Sequence, residues 1–471
     1  MFDAKCYQAR RQALREAVPD GIVLIPGNGE SAINFAANPH PFRQDSTFLY
    51  YFGLDAPDLV GFFEDGETDG LLAGPDPSPD AALWTGPAET MGELAERAGV
   101  RGTMGPDELR SRVSAALDAG VPVHFLPPYR DDQVLRLGRL TGLPPDRAAE
   151  ASSAALVRAV VAMRSIKSAE EIAEVETALS WTATLFQQVA RRVAPGRNVL
   201  ELAGEVDRRL REWSTRTAFP MIMTPRGEVL HGRTVDRTLE PSQLLLVDMG
   251  VESPRGYASD VTRTFPVGGR FSSEQRDLYR IVLAAQSAAI SLMAPGTAFV
   301  DVHLEAARTL AGGLADLGLM KGDPEAAVAE DAHALFFPHG LGHLLGLDVH
   351  DMEGLGEDAV GYDETIQREA RFGLASLRFG RRLEAGHILT VEPGIYFIPA
   401  LIDRWEAEGR ASDFIDYGAL RRFRHLGGIR IEDDVLVTES GCRVLGPAIP
   451  KSIETVEAVV GRPAAGGQGG A

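Results

Sequence analysis

A two-part α/β architecture is what this sequence predicts: an N-terminal α/β domain over residues 1–160, an α+β domain over 161–460, and a short tail over 461–471. Three observations predict it. Strand-like and helical runs alternate through about the first 150 residues, the pattern of a mixed sheet flanked by helices. From Ala151 to about Trp213 the apolar spacing is helical. From Pro220 onward strand-like runs are separated by Pro/Gly turns, the pattern of antiparallel pairs. Length agrees: 471 residues, at roughly 100–200 per domain, allow two to four domains.

In chain order, Tyr7 to Ala17 is helical, with Ala9, Ala13, Leu14 and Ala17 at helical spacing. Gly21 to Ile25 is a buried strand ended by PGNGE, whose Gly-x-Gly lacks the rest of a dinucleotide fingerprint. Phe48, Tyr50, Tyr51 and Phe52 suit a strand, since aromatics favour one. Further strands are expected at Leu59 to Phe63, Gly70 to Ala73 and Val121 to Leu126, with helices at Met91 to Ala98 and Pro106 to Asp118. A helix over Ala151 to Ile166 leads to Ser168-Ala-Glu-Glu171, a capping box that opens a long helix to about Val193. Val199 to Trp213 is the next helix. Phe219 to Thr224 and Glu228 to His231 flank Pro225-Arg-Gly227 as a hairpin, and Leu244 to Asp248 pairs with Tyr257 to Phe265. Helices over Ser273 to Met293 and Val300 to Leu317 precede strand-like pieces at Ala334 to Phe337, His387 to Glu392, Gly394 to Ile398 and Gly428 to Thr438. The tail from Arg462 is low in complexity and expected to be disordered. No tandem repeat of fixed period stands out.

Composition narrows the functional classes. A hydrophobic fraction of 44% and a charged fraction of 24% are those of a globular chain. No run of about 18 apolar residues is present, so no membrane span is expected. The charged, amphipathic start has no apolar signal region. Two cysteines, Cys6 and Cys442, exclude a disulfide framework and fit a reducing, cytoplasmic setting. A net charge of −20 argues against nucleic acid or an anionic membrane as partner.

The chemistry gathers in the C-terminal part. Folding Leu244 to Thr264 back about Pro254 sets Asp248 opposite Asp260, with Cβ atoms roughly 5 Å apart, where like charges repel. A cation between them resolves this; a turn-capping role, or pairing with Arg263, is the alternative. His339, His343 and His350 fall within twelve positions of a chain with ten histidines. The His339/His343 spacing is that of a zinc-binding helix, but no Glu follows His339, and Gly340 and Gly342 favour an extended segment. Glu392 ends an apolar strand before Pro393-Gly394. Alternation places Arg430 and Glu432 on one strand face, where a surface ion pair is the simpler reading. His231 at a hairpin end is equally open. Together Asp248, Asp260, His343, Glu392 and Glu432 form an oxygen-rich set with one imidazole, suited to Mn²⁺ or a similar metal.

The ordered series VDMG…YASDVTRTF, HGLGHLLGLDVHD, TVEPGIY and GIRIEDDVLVTE resembles the pita-bread metallopeptidases, and within them the Xaa-Pro aminopeptidase (aminopeptidase P) and prolidase families. The resemblance runs from about Tyr7 to Leu445, and PFRQDSTFLYYFG is similar to the aminopeptidase P N-terminal domain. It implies a C-terminal pita-bread domain of two pseudo-symmetric halves. It implies two divalent ions, Mn²⁺ first and Co²⁺ or Zn²⁺ otherwise, held by Asp248, Asp260, His343, Glu392 and Glu432, with Asp260 and Glu432 bridging. By the same resemblance Glu392 is general base, His231 and His350 act on substrate, and His339 and Arg430 back the ligands.

The activity so implied is hydrolysis of the bond between an N-terminal residue and a following proline, by a hydroxide bridging two metals. A prolidase acting on dipeptides is the nearest alternative, and a non-catalytic pita-bread binding protein a more distant one. Substrates would be peptides with proline second, and the assembly a homodimer or homotetramer. Three departures stand out: a turn between Asp248 and Asp260 one residue longer than in the shorter bacterial enzymes, an acidic segment around Glu353 to Tyr362, and an insertion from about Ala400 to Arg424.

Overall fold

The computed structural model describes residues 2–78, 80 and 82–462. It divides into two compact units, Met1–Arg164 with Met352–Ala359, and Ser165–Asp351 with Val360–Ala471. The boundary at Arg164 falls near the end of the helix Ala154–Ser165. The expected disordered tail lies, from residue 463 on, outside the described residues. Among the described residues no helix is long and apolar enough to cross a membrane, and neither Cys6 nor Cys442 is in a disulfide.

The first unit is a five-stranded mixed sheet with helices. Its strands are β1 (Ile22–Pro26), β2 (Val60–Phe63), β3 (Leu71–Ala73), β4 (Thr103–Met104) and β5 (Val123–His124), in the order β4-β3-β2-β1-β5. Neighbours pair antiparallel at β1–β2 and β2–β3 and parallel at β3–β4 and β1–β5. Leu24, Val60, Phe62, Val113 and Leu137 lie in its core.

The aromatic run expected as a strand is instead the helix Ser46–Phe52. Asp45 is its N-cap, accepting from the Phe48 N–H at 2.9 Å, and Gly53 closes it in the left-handed region at φ 66. Phe48 and Phe52, four apart, stack at 4.8 Å. The buried Arg10 and Arg11 guanidinia donate to the Tyr50 and Tyr51 carbonyls, which the helix end leaves unpaired. Tertiary partners override the strand preference of the aromatics. Asp131–Thr141 is a helix that the sequence reading did not contain.

The second unit carries two similar halves. Ser168 and Glu171 form the reciprocal capping box of Ala169–Arg192, which has acidic residues in its first turn and arginines in its last. That helix, Ala194-Pro-Gly196 and the helix Val199–Glu212 are echoed one hundred residues on. There Ser273–Leu292 is followed by Ala294-Pro-Gly296 and Phe299–Asp316. The corners bond alike: the Gly196 N–H donates to Leu239 O and the Gly296 N–H to Leu383 O, both at 2.8 Å. Too few identities survive for a fixed-period repeat to show in the sequence.

Each half then builds a three-stranded antiparallel sheet. In the first, β6 (Ile222–Thr224), β7 (Leu244–Met249) and β8 (Val261–Pro266) run in that order. In the second half, β9 (Ile388–Val391) pairs with β12 (Asp433–Thr438), which pairs with β13 (Gly441–Val444). An antiparallel pair of β10 (Gly394–Tyr396) and β11 (Gly428–Arg430) completes the unit. The expected hairpin about Pro225-Arg-Gly227 does not form: β6 pairs with β7, and Glu228 to His231 is a turn. Ala334 to Phe337 is a 3₁₀ turn (Ala332–Leu335) and its C-cap, not a strand. Gly428 to Thr438 breaks into two strands at Ile431 and Glu432.

The β7–β8 register also differs from the expected one. Asp248 faces Thr262, and Asp260 lies two residues nearer the turn on the same face. The cause is the turn itself, where the Gly256 N–H donates to Ser253 O at 2.9 Å and Gly256 takes φ 82. A tight turn followed by a left-handed glycine moves the reversal point past Pro254 to Arg255. Arg263 pairs with Asp433, not with Asp248 or Asp260.

The insertion flagged at 400–424 is the connection between β10 and β11. It contains the helix Pro399–Glu408, whose buried Trp405 ring carries the Arg410 guanidinium at 3.9 Å. The acidic segment flagged at 353–362 holds two short helical pieces, Glu353–Leu355 and Glu357–Gly361.

Candidate metal centre

The nine residues singled out from sequence line one cavity of about 630 Å³ in the second unit: His231, Asp248, Asp260, His339, His343, His350, Glu392, Arg430 and Glu432. They come from loops, strand ends and strand faces of both halves. Asp248 is the fifth residue of β7, and Glu392 immediately follows β9. Asp260 immediately precedes β8, and its N–H donates to Asp434 Oδ2 at 3.0 Å. Glu432 sits between β11 and β12, and its N–H donates to Thr262 O at 3.1 Å.

His343 lies on an extended segment against β9. The Thr390 N–H donates to the His343 carbonyl at 3.0 Å. Gly342 is required there, because a Cβ would stand 1.9 Å from Thr390 O. His231 is exposed in the turn after β6, and the His350 ring meets that of His343 edge-on at 4.3 Å. No residue of the 400–424 insertion lines the cavity among the described residues, whereas Ser376 and Arg378 do.

The donor atoms fit a cation. Asp260, His343 and Glu432 offer ligand atoms that all lie within 4.8 Å of one another. His343 Nδ1 is 3.1 Å from the Leu344 carbonyl. A carbonyl only accepts, so Nδ1 carries a proton and Nε2 is the ring nitrogen left to face the carboxylates. His343 Nε2 stands 3.5 Å from both Asp260 Oδ2 and Glu392 Oε1. An imidazole nitrogen and carboxylate oxygens gathered this closely suit a cation among them. Asp248 Oδ1 and Asp260 Oδ1 are buried with no hydrogen-bond partner, an arrangement that costs free energy unless a charge satisfies them.

Electrostatics agree. Burial, and then Asp248, push Asp260 well above the usual carboxylate range. Burial, with Asp260, Glu392 and Asp248, does the same to Glu432. Glu392 is pushed up to about 8, by burial first, with Arg430 opposing and Asp260 and Asp248 adding.

Three supporting residues escaped the sequence reading. Thr262 Oγ1 donates to Glu432 Oε2 at 2.6 Å and accepts from Arg430 Nε at 3.0 Å. Thr390 Oγ1 donates to Glu392 Oε1 at 3.2 Å and accepts from the His343 N–H at 3.1 Å. Each threonine is two positions from an acid, on the same strand face, which is the signal that could have found them. Tyr396 is the third. His339 Nδ1 donates to Gly340 O at 2.8 Å, so His339 Nε2 accepts from the Tyr396 hydroxyl, also at 2.8 Å. The Tyr396 oxygen accepts from Arg430 Nη1 at 3.0 Å, and Arg430 Nη2 pairs with Asp248 Oδ2. Burial, followed by Arg430, pushes His339 down to about 3, and burial pushes Tyr396 up to about 12, so both are neutral. Removing the hydroxyl with Tyr396→Phe should cut turnover about 10–100-fold with little change in melting temperature. Steady-state kinetics beside a thermal melt checks this, and unchanged turnover would remove Tyr396 from the site.

Comparison with known proteins identifies the family. Residues 146–439 match the model of metallopeptidase family M24, and residues 7–123 match that of the aminopeptidase P N-terminal domain. Xaa-Pro aminopeptidase of Escherichia coli (strain K12) is 31% identical over 465 residues, covering 96% of this chain and 97% of that protein. Homo sapiens Xaa-Pro dipeptidase is 31% identical over 451 residues, covering 94% and 89%. Mus musculus Xaa-Pro dipeptidase is 43% identical over 234 residues, covering 49% and 46%. Among solved structures, zinc-substituted E. coli aminopeptidase P in complex with product is similar at a TM-score of 0.79 and 29% identity, covering 98% of both chains. The chain belongs to metallopeptidase family M24, with an aminopeptidase P N-terminal domain ahead of its pita-bread domain.

Proposed function

We propose that this chain is a metal-dependent Xaa-Pro aminopeptidase, cleaving the bond between an N-terminal residue and the proline that follows. One observation carries the reading: ligand atoms of Asp260, His343 and Glu432 lie within 4.8 Å of one another inside a cavity that Asp248 and Glu392 also line. Asp248, Asp260, His343, Glu392 and Glu432 would hold two divalent ions, and this oxygen-rich set with one imidazole suits Mn²⁺. Bound there, such ions polarise a peptide carbonyl and make water acidic enough to react at neutral pH.

The side chains supply the rest. Glu392, its carboxylate oriented by the Thr390 hydroxyl, accepts the proton of the attacking water. His231 and His350, on the cavity wall, donate to the oxyanion and to the departing proline nitrogen. Proline brings no N–H and a fixed φ. The apolar lining of Phe219, Ile222, Leu230 and Val349 gives its ring a surface to pack on.

A second reading, a dipeptidase, is favoured by Arg233 and Arg378, which line the same cavity and present guanidinium groups that suit a dipeptide's terminal carboxylate. The 43% identity with the mouse dipeptidase points the same way. A substrate-length panel decides. Purified protein is assayed with Ala-Pro, Ala-Pro-Ala and a longer Ala-Pro peptide, each with Mn²⁺, Co²⁺ or Zn²⁺. Turnover of the longer peptides supports the aminopeptidase; turnover of Ala-Pro alone, with KM for Ala-Pro raised about tenfold in Arg378→Met, supports the dipeptidase. No turnover with any of the metals would sink both.

A further inference from the structure

Behind the ligand cluster lies a buried polar network that the proposed chemistry leaves without a role. Arg263 follows Thr262 in the chain, and Asp433 follows Glu432. Arg263 is 1% exposed, and its Nη2 donates to Asp433 Oδ1 at 2.6 Å. Arg263 Nη1 donates to the carbonyls of Thr262 and Glu432 at 2.9 and 2.6 Å. Arg263 Nε and Nη2 reach Pro450 O and Ile449 O. Gln286, fully buried in the helix Ser273–Leu292, donates through Nε2 to Val391 O, Ile431 O and Asp433 Oδ2 at 3.2, 3.3 and 3.2 Å. Lys451 Nζ closes the circuit, donating to Gln286 Oε1 at 2.9 Å and to Asp433 Oδ2.

The carbonyls captured are the significant ones. Val391 precedes Glu392, Ile431 precedes Glu432, Glu432 is itself captured, and Thr262 is two residues from Asp260. Ile431 and Glu432 stand between β11 and β12, outside either strand, so Gln286 and Arg263 bond carbonyls that a strand ladder would otherwise take. A buried ion pair is a poor way to gain stability, because desolvation offsets its attraction, and apolar residues of equal volume do as well or better. Fixing one of several possible arrangements is its better-attested use.

We propose that the Arg263–Asp433–Lys451–Gln286 network is a positioning device that sets the main-chain segments of Asp260, Glu392 and Glu432 at the spacing the metal ions need. These are positioning residues, acting through the ligands and touching neither substrate nor metal. The inference rests on the metal-dependent reading above.

The test compares wild type with Asp433→Asn, Lys451→Met and Lys451→Arg. Lys451 is part-exposed, so its variants do not depend on tolerance of a fully buried change. Mn²⁺ binding is measured by calorimetry on chelator-stripped protein, beside circular dichroism, melting temperature, kcat and KM. Asp433→Asn and Lys451→Met are expected to weaken Mn²⁺ binding about 10–100-fold and to lower kcat, with KM within about twofold of wild type and the fold retained. Lys451→Arg, which restores a cation, is expected to recover most of the affinity. A network that only stabilises would lower the metal-free melting temperature and leave Mn²⁺ affinity and kcat in place, which would overturn the inference. Wild type that takes up no Mn²⁺ would overturn it together with the metal-dependent reading. Wild type that binds, with variants matching it, would overturn this inference alone.

Discussion

Asp260→Ala is expected to lower Xaa-Pro hydrolysis by about a thousandfold or more, equivalent to roughly 4 kcal/mol of transition-state stabilisation, while making the metal-free protein more stable. The first half follows from geometry, since Asp260 belongs to the trio of converging ligand atoms and stands 3.5 Å from His343 Nε2. The second half follows from cost. Asp260 is 5% exposed, has one oxygen without a partner and is opposed by Asp248. Alanine removes that burden and leaves the Asp260 N–H bond to Asp434 in place, because it is a main-chain donor. Calorimetric melting in chelator, beside Mn²⁺ titration and peptide assays, measures both halves. Undiminished Mn²⁺-dependent turnover would show that Asp260 is not part of the centre. A fall in the chelator melting temperature would show that its carboxylate stabilises the metal-free fold.

The second large effect is on pH. Stability of the metal-free protein should fall as pH rises from about 6.5 to about 8. Glu392 goes from an ordinary 4.5 to about 8 on folding. Between those values the folded state keeps a proton that the unfolded state has released, so unfolding becomes easier with rising pH. Four buried histidines work the other way: His303, His339 and His387 are pushed down to about 3 and His333 to about 4, in each case by burial first. Their contribution grows as pH rises from those values and is complete above the ordinary histidine value of 6.5. Beyond that point the carboxylates dominate. One proton corresponds to about 1.4 kcal/mol per pH unit, hence about 2 kcal/mol over this window from Glu392. Asp260 and Glu432, raised in the same direction, add to it. Mn²⁺ should flatten the profile by supplying the missing charge. Urea unfolding at pH 6.5 and 8.5, in chelator and in Mn²⁺, tests this; level or rising metal-free stability would refute it.

What was legible in the sequence was local or chemically rare. The capping box at Ser168 and Glu171 marks its helix by adjacent residues alone, and Pro106–Asp118 follows from its leading proline and apolar spacing. The cavity residues stood out because carboxylates and histidines in apolar, glycine-punctuated strands need a reason. What was hidden depends on distant partners. Ser46–Phe52 is helical because Arg10 and Arg11 hold its end, some forty residues away. The β7–β8 register turned on one left-handed glycine. Tyr396 is an ordinary residue whose role appears only once His339 and Arg430 are beside it, whereas Thr262 and Thr390 carry at most the weak signal of an acid two positions away.

The paired Ala-Pro-Gly corners bear on how the centre is divided between the two halves. Five residues after Leu239 the chain enters β7, and five after Leu383 it enters β9, so Asp248 and Glu392 hold matching places in the two halves. Asp260 and Glu432 stand just before β8 and β12, on opposite sides of the seam that the Glu432 N–H to Thr262 O bond crosses. Each half thus brings two acids, and neither alone can enclose a cation. The cluster therefore depends on the register between the halves, and a shift at that seam would part Asp260 from Glu432.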